Sequence, residues 1–164
     1  MNKYNLIVLP VLLLIVILVT FDIWDAYRSA HVQLPTPTLT KFWKYQCVDT
    51  MKSSRDLARQ HLSDLNKAKY EIETEVKLVV GLGANCISVA TPYDREFLPV
   101  LKLWVQTARS NGLNVWFRGN FAGWEEWFDY PKISSTAEHL NLTRNFIFEN
   151  ASLFEDGDIF TAPP

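Results

Sequence analysis

Apolar positions run along this chain in two rhythms, one of three and four and one continuous, and twice the first gives way to the second through the same short signal. Gly83-Ala84-Asn85 leads into Cys86-Ile87-Ser88-Val89, and Gly112-Leu113-Asn114 leads into Val115-Trp116-Phe117. Each is a helix-ending Gly-x-Asn followed at once by a strand-like run, and the two glycines stand 29 positions apart. That spacing accommodates one strand, one loop and one crossover helix, the least a parallel connection requires. The predicted architecture is α/β, a parallel sheet with helices outside it. In such sheets function collects at the loops that leave the C-terminal ends of the strands.

The remaining elements follow from the same patterns. Tyr45 to Met51 is short, partly β-branched and polar at its end, which predicts a first strand. Ser54 stands where it could cap a helix whose Leu57, Ala58, His61, Leu62 and Leu65 share a face. A charged stretch from Lys67 to Glu75 leads into a helix carrying Ile72, Val76, Val79 and Val80, closed by Gly81 and Gly83. Cys86 to Ala90 is the second strand, and Thr91-Pro92-Tyr93-Asp94 ends it because proline cannot continue a central ladder. Phe97, Leu98, Leu101, Trp104, Val105 and Ala108 predict an amphipathic helix that stops at Asn111-Gly112, ahead of the third strand, Val115-Trp116-Phe117. The loop from Gly119 to Ser134 is long enough to suggest function. Its Phe121, Trp124, Trp127, Phe128 and Tyr130 argue against disorder. Ser135-Thr136-Ala137-Glu138 reads as a capping box for a helix through Leu142 and Phe146 to about Asn150, and Asp156-Gly157-Asp158 turns the chain into a fourth strand, Ile159-Phe160-Thr161.

The N-terminal residues belong to another environment. Leu6 to Phe21 is apolar, with Lys3 before it and Asp22 and Asp25 after it. Residues 1–32 are therefore expected to hold a transmembrane helix, an uncleaved anchor in preference to a cleaved signal peptide, with the globular part outside the cytoplasm. Residues 33–40 form a Pro/Thr spacer, and residues 41–164 the folded domain. Four strands with an unpaired last edge resemble one half of a larger sheet, so the chain is expected to be a truncated one.

Composition narrows the partners. With 164 residues, 48% hydrophobic content and a formal charge of -2, the chain fits one globular domain plus an appendage. Its Lys and Arg are scattered among acids, which excludes nucleic acid as an expected partner. Cys47 and Cys86 fall inside predicted strands, where side chains on adjacent parallel strands seldom meet disulfide geometry, so buried free thiols are the expectation. His31, His61 and His139 are isolated and are expected on the surface or on helices. No Cys/His pair has ligand spacing, so neither a metal nor another cofactor is expected. Gly81-Leu82-Gly83 closes a helix instead of opening one, which excludes a phosphate loop.

At the strand ends the candidate binding residues are Asp49, Lys52, Tyr93, Asp94, Arg118, Asn120, Trp124 and Trp127. Carboxylates, a guanidinium, an amide and indoles together suit a neutral, hydroxyl-rich ligand, because sugar C–H faces settle on indoles while hydroxyls need fixed donors and acceptors. Asn141-Leu142-Thr143 and Asn150-Ala151-Ser152 match the glycosylation sequon, though on a helix.

Four stretches carry a resemblance. Tyr45 to Asp56, Gly83 to Asp94, Asn114 to Asn120 with Gly123-Trp124-Glu125-Glu126-Trp127, and Phe154 to Thr161 resemble successive strand ends of bacterial glycoside-hydrolase-like TIM barrels of the retaining, cellulase-related type. The resemblance covers about Lys41 to Pro164 and implies a partial (β/α)8 TIM barrel of about four strands. It also implies two catalytic glutamates, one after the fourth strand and one near the seventh, neither of which can be placed here. Glu125 and Glu126 match no catalytic motif. The expected function is a membrane-anchored, extracytoplasmic glycoside hydrolase acting on a polysaccharide or glycan. The alternatives are a non-catalytic carbohydrate-binding or cell-surface protein using the same rim, and a doubly wound domain with a small ligand at its switch point.

Overall fold

A computed structural model describes residues 43–161. The predicted membrane segment and spacer lie outside these residues, and no helix among the described residues is long and apolar enough to cross a membrane. Gly83 and Gly112 adopt φ values of 77° and 76°, the left-handed conformation that ends a helix at least cost when no Cβ is present. The asparagines two residues on explain the rest of the signal. Asn85 accepts the Gln46 N–H at 2.7 Å and donates to the Lys44 carbonyl at 2.9 Å, and Asn114 donates to the Asn85 carbonyl at 3.4 Å. Each amide side chain thus bonds backbone at the start of the preceding strand.

The strands β1 (Cys47–Asp49), β2 (Cys86–Val89), β3 (Asn114–Phe117) and β4 (Ile159–Phe160) form one parallel sheet in sequential order. Between β1 and β2 lie two helices, α1 (Met51–Gln60) and α2 (Leu65–Gly81). The third helix, α3 (Leu98–Ser110), joins β2 to β3, and α4 (Thr136–Glu149) joins β3 to β4. Asp64 caps α2 by accepting from Lys67 N at 3.0 Å, and at α4 Ser135 caps the helix by accepting from Glu138 N, the first of the two bonds of a capping box. Leu65 belongs to α2 and is exposed, so it does not continue the α1 face as its spacing suggested.

Ser54 is corrected from cap to interior residue. The helix begins three residues earlier, and the buried Ser54 hydroxyl donates to the Thr50 carbonyl at 2.7 Å while accepting from Ala90 N at 2.9 Å. It fastens α1 to the exit of β2.

Parallel crossovers are right-handed in nearly all sheets, and with strands in sequential order that puts the helices on one side of the sheet. The burial pattern agrees. Val115 and Phe117 are buried with Ile87 and Val89 among Ile72, Val76, Leu101, Trp104 and Val105 from the helices. Burial of each such side chain contributes roughly 1.5 to 3 kcal/mol. The alternate positions Asn114, Trp116 and Arg118 stay partly exposed, and the register places Ser88, Asp49 and Ile159 beside Trp116 on this second face.

The cysteines are also corrected. Cys47 and Cys86 are direct register partners with Cα atoms 4.2 Å apart, and they form a disulfide in place of two free thiols. Adjacency in register, which the sequence does not reveal, is what brings the sulfurs together.

Candidate functional site

The end of β1 carries the best-organised polar group at the strand ends. Asp49 accepts from Ser88 Oγ at 2.8 Å and Met51 N at 2.9 Å through one oxygen, and from Arg118 Nη1 at 2.6 Å through the other. Three elements are joined by this single carboxylate. The Arg118 guanidinium lies 4.9 Å from the centre of the Trp116 ring, whose Nε1–H donates to Thr161 Oγ1 at 2.6 Å. Beside Asp49 a depression of about 500 Å³ is lined by Asp49, Met51, Lys52 and Arg55. Lys52 and Arg55 both reach Asp56, each with a contact of 2.6 Å, and those bonds hold the Asp56 carboxyl below its ordinary range. Arg55 also lies 5.4 Å from the centre of the half-buried Trp127 ring. The 119–134 loop therefore returns to α1 and sets an indole against Arg55.

Of the predicted residues, Asp49, Lys52 and Arg118 lie around the end of β1 and Trp127 lies against Arg55, together with Ser88 and Trp116, which the pattern did not single out. The other four predicted residues build the loop. Tyr93 is 3% exposed, stacked on Phe146 at 4.0 Å, and lines a different cleft of about 490 Å³ with Phe121, Leu142 and Phe146. Burial raises its hydroxyl far above the ordinary tyrosine range. Asn120 is 2% exposed; its Oδ1 accepts from Phe121 N and His139 Nε2, and its Nδ2 donates to Glu125 at 2.6 Å. Trp124 stacks on His139 at 4.0 Å with planes 5° apart. Asp94 accepts from Ala122 N at 2.8 Å, and burial pushes its carboxyl up against the lowering pull of that bond.

His139 was legible only as an isolated helix residue, yet it is completely buried. Because Asn120 Nδ2 is committed to Glu125, its Oδ1 is the acceptor and His139 Nε2 must carry the proton. Nδ1 has no partner among the described residues, and burial lowers the ring's pKa, opposed by the Glu125 carboxylate. The neutral ring is the floor of the loop. Its spacing of i, i+4 and i+7 with Thr143 and Phe146 was the signal that could have placed it inside.

Strain in this loop is confined to three residues. Glu126, Phe128 and Asp129 have φ of 56°, 59° and 59°. A bulky residue in that region costs on the order of 1 to 3 kcal/mol. Tyr130 holds the segment by donating to Glu96, and burial followed by that bond pushes its hydroxyl up to about 12. Lys132 pairs with Glu126. Among the described residues no cluster of His, Cys, Asp or Glu could hold a metal ion.

No family model, curated protein or solved structure matches the chain.

Proposed function

We propose that the strands β1 to β4 are one half of a (β/α)8 barrel of glycoside-hydrolase type, and that their C-terminal ends bind a glycan. The observation that carries this reading is the group formed by Asp49, Ser88 and Arg118 at three adjacent strand ends, with the partly exposed indole of Trp116 against Arg118 and that of Trp127 against Arg55 on α1. Fixed donors and acceptors between aromatic faces suit hydroxyls and C–H faces together. Sequential strands with helices on one side are the arrangement that four further strands would close, and the segments after the fourth strand and near the seventh would supply the two carboxyls about 5 to 5.5 Å apart that a retaining reaction needs. The membrane-anchored, extracytoplasmic placement rests on the Leu6 to Phe21 pattern and is supported by the Cys47–Cys86 disulfide, which belongs to an oxidising compartment.

Non-catalytic glycan binding is the alternative reading. It is favoured by the engagement of Asp49, Asp94, Glu125 and Glu126, each of which already holds a partner.

The test is calorimetric titration of the full chain with a panel of oligosaccharides, comparing wild type with Arg118→Ala and Trp127→Ala. Each substitution is expected to cost on the order of 1 to 3 kcal/mol of binding. Trp124→Ala should instead lower the melting temperature, because its ring covers His139. Unchanged affinity in both rim variants, or losses that only track melting temperature, would make the rim structural.

A further inference from the structure

We infer, building on the glycan reading above, that the ligand at these strand ends is an anionic glycan, carboxylated or sulfated, instead of a neutral one. The depression at the end of β1 is lined by Lys52 and Arg55 against the single carboxylate Asp49. Arg118 pairs with Asp49 and Asp56 pairs with the two cations, so the group holds three cations and two carboxylates.

The carboxylates are the more fully used partners, each accepting three bonds of about four it can take. Asp49 uses both oxygens on Ser88, Met51 N and Arg118, while Asp56 uses one on Arg55 and the other on Lys52. The cations are not saturated. Arg118 makes its bond through Nη1 alone, Arg55 through Nε and Nη2, and Lys52 through one of its three donors. Surplus donors of a guanidinium match the paired oxygens of a carboxylate or sulfate.

Lys52 has no evident role in the helix that carries it. It stands in the first turn of α1, which holds no acidic residue, so its charge opposes the helix dipole. Its i,i+4 pair with Asp56 runs from cation to anion, the weaker direction, and its side chain is 84% exposed. A cation placed where the helix dipole disfavours it, and 84% exposed, is open to a ligand that needs it.

The experiment is calorimetry of the full chain with three probes of equal length: a uronic-acid oligomer, a sulfated oligosaccharide and a neutral oligosaccharide, at low and at elevated salt. At least one anionic probe is expected to bind about tenfold more tightly than the neutral one, with the advantage shrinking as salt rises. Preference for the uronic-acid or for the sulfated probe identifies which anion the site takes. Lys52→Gln should remove most of that advantage while leaving the melting temperature unchanged, since its side chain is 84% exposed. Equal or tighter binding of the neutral probe, or an anionic preference that survives Lys52→Gln and Arg55→Gln together, overturns the inference and leaves the glycan reading standing. Absence of binding by all three probes overturns both.

Discussion

Reduction of the Cys47–Cys86 bridge is expected to destabilise the domain by about 4 kcal/mol, because the bond spans 39 residues of sequence and withdraws that loop's freedom from the unfolded chain. The bridge joins the first two strands of the sheet at their starts, so the crossover between them, α1 and α2, is closed into a ring. In a domain of this length the loss corresponds to a fall in melting temperature on the order of 15 °C. Melting curves with and without reductant, and for Cys47→Ala with Cys86→Ala, measure it. Two thiols that react with an alkylating reagent in the denatured, unreduced protein would show that the bond does not form, and a melting temperature indifferent to reductant would show that it does not stabilise.

Gly119→Ala is expected to be nearly as damaging. A Cβ at this position would lie 2.2 Å from the Thr91 carbonyl oxygen and 2.6 Å from the Tyr93 ring. Neither neighbour can yield. Thr91 is buried at the exit of β2, and Tyr93 is stacked on Phe146 and held by its N–H to the Asn120 carbonyl at 2.9 Å. Overpacking of this kind costs roughly 1 to 3 kcal/mol, and the upper end applies where the obstacle is backbone. Gly81→Ala is the matched control, since nothing lies within 4 Å of a Cβ there and alanine is the better helix former, by less than the ~1 kcal/mol of a helix interior because Gly81 is the last residue of α2. Thermal unfolding of the two variants should move in opposite directions. A Gly119→Ala protein as stable as wild type would mean that the β2 and β3 exits are not in contact.

Those exits also show where sequence pattern stops being informative. The strands and helices were readable because each rests on local chemistry: a left-handed glycine, a capping serine, apolar residues at three and four. Gly83, Gly112 and Ser135 play the parts their neighbours predict. The start of α1 was misplaced because Ser54 has the chemistry of a cap, while its hydroxyl is used across the fold on Ala90.

The same limit governs the site. Asp49, Lys52, Arg118 and Trp127 were legible because strand ends and loop aromatics are visible in one dimension. Tyr93 and Asn120 looked equivalent to them and are not, since their burial depends on α4 folding beneath the loop. Likewise the disulfide depends on register between β1 and β2, and no spacing along the chain encodes register.

The measurement closest to the central claim is an NMR titration of the full chain with glycans, followed through the indole N–H signals of its six tryptophans. Glycan binding at the strand ends predicts saturable shifts of Trp116 and Trp127, with the fully buried Trp104 unmoved. A panel of neutral and anionic glycans that moves no indole signal, or one that moves Trp104 while leaving Trp116 and Trp127 in place, would contradict it.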